Sequence, residues 1–137
     1  MRAGSRSEEH VGEWKVTLRA DTLEELFAEA ARVVARECGP VQRAPGGIEE
    51  WERVEIEARD AEALLVDWLN ELLGRSEIHC RSYDEIRDLH LTDTRLEAEV
   101  RGRPVRVWRS PLKAATYHGL EVKQEGGRWK AVVLFDV

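Results

Sequence analysis

The chain has 137 residues, of which 42% are hydrophobic and 35% are charged. These values predict one folded globular domain and exclude a wholly disordered chain. The formal net charge is -6, from 27 acidic and 21 basic residues. The chain as a whole should therefore repel a phosphate backbone, and autonomous nucleic-acid binding is not expected.

The cysteines and the apolar runs narrow the class of protein further. Cys38 and Cys80 show no CxxC spacing, which argues against a disulfide framework and against a zinc module. No apolar run reaches the roughly 18 residues that cross a bilayer, and the N-terminal segment lacks the apolar region of a signal peptide. We therefore expect a cytoplasmic protein that makes no contact with a membrane.

The first predicted elements are a tail and a strand. Residues 1–9 are polar and carry no periodic apolar pattern, which predicts a flexible N-terminal tail before a single domain over residues 10–137. Apolar and polar side chains then alternate as in a strand with one buried face. The apolar positions of this strand are Trp14, Val16 and Leu18.

Two amphipathic helices are predicted next. Asp21 is the expected N-cap of the first helix and Asp60 the expected N-cap of the second. Gly39-Pro40 should stop the first helix, and Gly74 should end the second. The apolar positions of both helices recur at helical spacing, so each helix should bury one face.

Strands account for the rest of the pattern. Alternation predicts one strand around Val54 and another over residues 95–101. Gly102-Arg103-Pro104 then predicts a turn into a short strand over residues 105–108.

The end of the chain predicts a hairpin, because residues 117–123 and 128–137 flank a glycine-containing loop over residues 124–127. Together the elements predict an α+β fold: a single domain with a mainly antiparallel or mixed sheet and two helices packed on one face.

The arginines around Gly102 leave two interpretations open. They could contact RNA or an acidic partner, or they could belong to a solvated strand and turn. The four residues are Arg101, Arg103, Arg106 and Arg109.

Asp136 is the candidate with the clearest chemistry. It interrupts the apolar run VVLFDV at the end of the last predicted strand. A carboxylate there can coordinate Ca²⁺, Mg²⁺ or Mn²⁺ through oxygen, and the terminal carboxylate of Val137 lies one residue away. The alternative is a solvent-facing aspartate without a ligand. His118 is likewise left open between a functional and a structural role.

Four segments, in this order, carry a family resemblance. They are DTLEELFAEAA, DAEALLVDWLNELL, LKAATYHGLEV and the terminal VLFDV. With them the chain resembles the archease family, which implies an α+β accessory protein rather than an enzyme. The resemblance implies that the protein promotes guanylylation and multiple turnover of an RtcB-type RNA ligase in tRNA splicing or RNA repair. Contact with tRNA would be indirect.

The resemblance also implies a set of site residues. A divalent metal ion (Ca²⁺, Mg²⁺ or Mn²⁺) would be held by Glu13, Asp136 and Val137, with Glu13 standing where the HTAD motif of the family has its aspartate. Lys113 and His118 of the LKAATYHGLEV segment would bind the partner. The alternative function is a chaperone or modulator of tRNA-modifying enzymes such as methyltransferases.

Overall fold

The computed structural model describes residues 3–10, 12–41 and 50–137. These ranges contain two helices and seven strands in a single domain, and every strand pairing is antiparallel. The elements are β1 (Gly4–His10), β2 (Glu13–Ala20), α1 (Leu23–Arg36), β3 (Glu52–Glu57), α2 (Ala61–His79), β4 (Arg81–Leu91), β5 (Arg95–Pro104), β6 (Ala114–Glu125) and β7 (Arg128–Asp136).

The strands divide between two sheets. One has the order β1-β2-β7-β6 and the other the order β3-β5-β4. Helix α1 packs on β2 and β4, while α2 packs on β6 and β4, so each helix contacts both sheets. The predicted α+β class with two helices against the sheet is confirmed, although the sequence pattern did not predict that the strands separate into two sheets.

The N-cap of α1 lies one residue later than predicted. Thr22 Oγ1 accepts a hydrogen bond from Glu25 N at 3.1 Å. Asp21 Oδ1 instead accepts from Arg128 Nε at 3.0 Å, and this hydrogen bond lowers the pKa of Asp21. The prediction of Asp21 as the cap was wrong because a distant strand supplies a stronger, charged partner.

Helix α2 begins as predicted but ends later. Asp60 Oδ1 accepts from Ala63 N at 2.8 Å, which confirms this N-cap. Gly74 does not end the helix, which continues to His79 and stops at Cys80 in the left-handed region (φ 52°). One glycine inside a helix costs only about 1 kcal/mol, and the burial of neighbouring side chains such as Leu73 offsets that cost.

The segment expected as a tail over residues 1–9 contains an edge strand. Residues 4–10 pair with β2 along their whole length, from Gly4 opposite Arg19 to His10 opposite Glu13. Strand pairing uses main-chain groups, so a polar edge strand needs no apolar alternation. Ser5 adds a side-chain contact by accepting from Arg36 at 3.1 Å.

Gly102 lies inside a strand, not in the predicted turn. A Cβ at this position would lie 2.9 Å from Arg81 Cβ and 3.0 Å from the Tyr83 ring, so glycine is required by close packing. Strand β5 therefore continues to Pro104. Of the strand predicted over residues 105–108, Val105 alone pairs, through an isolated bridge to Val41.

The closing hairpin is confirmed. Gly126 and Gly127 both have positive φ, 59° and 80°, as a two-residue type I′ turn requires. Strand β6 starts at Ala114, earlier than predicted, and its register shifts between Thr116 and Glu121. Neither helix of the described ranges has the length and apolar character of a membrane span.

Trp68 is the largest side chain of the core and joins the two helices. It is 0% exposed, and its Nε1 donates to Phe27 O at 3.0 Å. It belongs to one core cluster with large side chains from both sheets and from the helices; those with less than 2% exposure include Tyr83, Phe135, Leu18, Leu64, Leu65 and Leu96.

We predict that Trp68→Phe lowers the free energy of unfolding by about 2 to 4 kcal/mol, because it leaves a cavity and removes the donor to Phe27 O. Urea denaturation measures this loss. Trp129→Phe, at a half-buried position on β7, is the matched control and should cost clearly less. Equal losses in the two variants would contradict the assigned role of Trp68.

Candidate functional site

The ends of three adjacent strands, β2, β7 and β6, lie side by side at one end of the four-stranded sheet. Glu13 at the start of β2 lies directly opposite Asp136 at the end of β7, and Asp136 lies opposite Ala114 at the start of β6. Residues directly opposite each other in an antiparallel pair project from the same face of the sheet. We call the group Glu13, Asp136, Val137 and Lys113 the tip.

Main-chain hydrogen bonds hold the tip together. Lys113 N donates to Asp136 O at 2.8 Å, and Val137 N donates to Gly12 O at 3.3 Å. The bonds fix the residues just beyond the strand ends to the neighbouring chain segments. The backbone near the two carboxylates is therefore hydrogen-bonded to the neighbouring chain segment on each side.

The two carboxylates of the tip face away from the core. The core-facing pair one residue along is Trp14 with Phe135, whose ring centroids are 5.9 Å apart. Asp136 is exposed and Glu13 is half-buried. Cross-strand neighbours have Cβ atoms about 5 Å apart, and like charges at that spacing destabilise a sheet. The pair is therefore a place where a cation would be favourable.

The donor set of the tip fits a hard divalent cation. Glu13 and Asp136 offer carboxylate oxygens, and Val137 offers a main-chain oxygen, which are the ligand types that Ca²⁺, Mg²⁺ and Mn²⁺ prefer. In the described residues no group of three or more His, Cys, Asp and Glu side chains is placed to hold a metal. A cation at the tip would thus rest on two side chains and the main chain.

The other two predicted residues lie at different distances from the carboxylate pair. Lys113 is exposed and belongs to the tip through its main chain. His118 is also exposed but lies four residues further along β6, about 13 Å at the usual strand rise. It sits beside Gly119, whose positive φ of 64° lies within the register shift of β6. The fold does not bring His118 to the tip.

Asn70 is a positioning residue that the sequence interpretation missed. Its Oδ1 accepts from Ala115 N at 2.7 Å, and its Nδ2 donates to Ala115 O at 3.1 Å. The amide therefore fixes the start of β6 to α2, next to the tip. No short-range pattern in the sequence reports this partner, which lies 45 residues away.

Tyr117 and Asp67 make a second link between β6 and α2. Tyr117 Oη donates to Asp67 Oδ1 at 3.0 Å, and this hydrogen bond raises the pKa of Tyr117. Asp67 and Asn70 are three residues apart, so they share one face of α2. Two polar residues at that spacing, on either side of the buried pair Trp68 and Leu69, were the available signal for this contact.

Comparisons with known proteins agree with the fold. Residues 6–137 match the Archease protein family. Protein archease of Methanopyrus kandleri is 33% identical, covering 94% of this chain and 96% of that protein. Protein archease of Methanothermobacter thermautotrophicus is 36% identical, covering 84% and 85% respectively.

Two solved structures share the fold. The solution structure of protein 1598 from Methanobacterium thermoautotrophicum has a TM-score of 0.72 and 23% identity, covering 98% of this chain and 99% of that one. The crystal structure of an archease described as a possible chaperone, from Thermotoga maritima, has a TM-score of 0.67 and 21% identity, covering 96% of each chain.

We predict that Asn70→Ala lowers the free energy of unfolding by about 1 to 3 kcal/mol, because it leaves both main-chain groups of Ala115 without their partner. The amide of Ala115 should also exchange its hydrogen faster, which NMR measures at that residue. Glu71→Ala, at the adjacent exposed position, is the control and should change neither quantity appreciably. Unchanged exchange at Ala115 would remove Asn70 from the support of the tip.

Proposed function

Because the chain belongs to the archease family, we propose that it is an accessory protein, not an enzyme, that activates an RtcB-type RNA ligase in tRNA splicing or RNA repair. The proposed effect is faster guanylylation of the ligase and repeated turnover. The protein would act in the cytoplasm and would affect tRNA through the ligase. Its net charge of -6 supports a protein partner over direct RNA binding.

The observation that carries this proposal is the register of β2 with β7. It sets two carboxylates side by side at the ends of two inner strands, where Asp136 is exposed and a partner can reach it. We propose that Glu13, Asp136 and a main-chain oxygen of Val137 hold a divalent cation, Ca²⁺, Mg²⁺ or Mn²⁺. When bound, the cation would supply positive charge at a tip that is otherwise acidic.

The remaining residues of the tip would contact the ligase. Lys113 is exposed beside the carboxylate pair, so its ammonium group is available to an acidic or phosphate group of the partner. His118 is exposed at the bulge of β6 and would extend the contact along that strand.

The second candidate function is a chaperone or modulator of tRNA-modifying enzymes such as methyltransferases. The observation that favours it is the description of the similar Thermotoga maritima protein as a possible chaperone. Chaperones that hold unfolded chains expose broad apolar patches. The large hydrophobic side chains exposed in the described residues are Ile78, Val107, Tyr117 and Val137, too few for such a patch.

The proposal is tested by mixing the purified protein with its ligase, GTP and a divalent salt. Formation of guanylylated ligase and of joined RNA should accelerate under multiple-turnover conditions. In parallel, the protein is added to a methyltransferase during thermal unfolding. Suppressed aggregation without any acceleration of the ligase would favour the chaperone function instead.

We predict that Asp136→Ala loses the stimulation while the fold survives, because an exposed carboxylate at a strand end contributes little to the core. Circular dichroism and a thermal melt check the fold. Glu125→Ala, at the opposite end of β6, removes the same charge and should stimulate like the unmodified chain. If Asp136→Ala stimulates fully, Asp136 has no role in activation.

Glu13→Ala should bind divalent cations more weakly, by about tenfold or more, because it removes one of two carboxylate ligands. Isothermal titration with Ca²⁺, Mg²⁺ and Mn²⁺ measures the affinity without the ligase. Glu125→Ala again serves as the control. An affinity that is the same in both variants would place the metal elsewhere.

A further inference from the structure

A cleft adjoins the tip on the helix side. Its volume is about 530 Å³, and it lies between the C-terminal half of α2 and the segment over residues 105–113. We call this segment the basic loop. From α2 the cleft is lined by Leu73 and Glu77, and from the basic loop by Trp108, Leu112 and Lys113. Lys113 therefore belongs to the cleft and to the tip.

The basic loop is held in place by main-chain contacts. Val105 N donates to Cys80 O at 2.9 Å, Arg106 N to Pro40 O at 2.8 Å and Arg109 N to Cys38 O at 3.3 Å. A side chain at Gly39 would collide with the loop, since its Cβ would lie 2.3 Å from Val107 O. A loop anchored in this way loses little conformational freedom when a partner binds.

The arginines of the basic loop differ from those of the neighbouring strand β5 in their ion pairing. Arg101 pairs with Glu85 and Arg103 pairs with Asp84 in the three-stranded sheet. Arg106 and Arg109 are exposed, and within the described part of the chain neither of them forms an ion pair. The arginine cluster seen in the sequence therefore separates into a paired half and an unpaired half.

Trp108 also differs from the other tryptophans. Trp68 is buried, Trp14 and Trp129 pack against the core, and two arginine guanidinium groups lie over the ring of Trp51. Trp108 instead forms a wall of the cleft and is half-buried. Tryptophan and arginine are among the residue types that contribute most to binding at protein interfaces.

Two exposed apolar side chains are sequence neighbours of residues that line the cleft. Val107 in the basic loop is 60% exposed and Ile78 near the end of α2 is 77% exposed. Ile78 continues the row of Asn70 and Gly74, which line the cleft at four-residue spacing on the helix. The surface thus combines apolar contacts with positive charge.

We infer that this cleft and the basic loop bind a segment of a partner protein in which an apolar side chain is flanked by carboxylates. The apolar side chain would fill the cleft against Trp108 and Leu112, and the carboxylates would contact Arg106 and Arg109. A cleft of this volume accommodates a small ligand or a few side chains. The inference rests on the proposed function, because the ligase is the partner expected to carry the segment.

RNA fits the same surface less well. Glu77 contributes a carboxylate to the cleft wall, and the net charge of -6 opposes a phosphate backbone. A protein segment can place its carboxylates near the arginines and its uncharged apolar side chain near Glu77, which avoids repulsion in the cleft. The two unpaired arginines are thus better matched to a short acidic segment than to a long polyanion.

The test measures the dissociation constant of the ligase for the full chain, for R106E/R109E and for the control R6E/R19E. Arg6 and Arg19 are exposed on the four-stranded sheet, so the control makes the same change in charge away from the cleft. We expect R106E/R109E to bind about tenfold or more weakly, with a weaker dependence on salt. Saturating amounts of this variant should still stimulate the ligase fully.

A second pair of variants tests the apolar contact. Trp108→Ala should also weaken binding about tenfold, whereas Trp108→Phe keeps a ring in the cleft and should retain most of the affinity. A thermal melt of each variant establishes that it is folded. Glu125→Ala, at the end of β6 far from the cleft and the tip, should bind the ligase with unchanged affinity.

Each outcome has a distinct meaning. If the unmodified chain binds and stimulates the ligase but R106E/R109E and the control bind equally well, the cleft inference is overturned and the proposed function stands. If the unmodified chain does not bind the ligase, the proposed function fails and the inference fails with it. If R106E/R109E loses affinity for a single-stranded oligouridine but not for the ligase, the surface binds RNA and the inference is rejected.

Discussion

The pairing of β2 with β7 is the interaction on which the rest of the structure depends. It joins the second strand of the chain to the last one, and it places Glu13 beside Asp136. The entropy cost of closing so long a segment grows only slowly with its length, and the cost is offset by a shared buried face. That face is formed by Val16, Leu18, Ala20, Ala131, Val133 and Phe135. Strand β6, the tip and the cleft are all arranged around this pair.

Sequence patterns correctly predicted the elements that depend on residues close together in the chain. The second helix cap at Asp60 and the closing hairpin were found because caps and turns depend on residues a few positions apart. The predictions failed where distant contacts decide the outcome. Asp21 binds Arg128 in place of capping α1, and Gly102 packs on Tyr83 where a turn was expected. In both cases the partner is far away in the sequence.

In the candidate site, too, features set by neighbouring residues were predicted and features set by distant contacts were not. Spacing alone identified Asp136 as an unusual carboxylate, but its neighbour Glu13 came from the family resemblance, since register between distant strands leaves no short-range pattern. The role of Asn70 was missed for the same reason. No short-range pattern distinguishes Trp108, which lines a cleft, from the tryptophans that pack against the core. The separation of paired from unpaired arginines required the strand partners to be known.

The side-by-side carboxylates make the stability of the domain depend on what lies between them. Glu13 and Asp136 repel each other in the folded chain, while in the unfolded chain they are far apart on average. Any cation that binds the native pair therefore stabilises the fold by linkage, in proportion to the logarithm of its concentration relative to its dissociation constant. If the proposed cation binds, thermal stability would report occupancy of the tip, and a partner that displaced or shared the cation would change the stability of the whole domain.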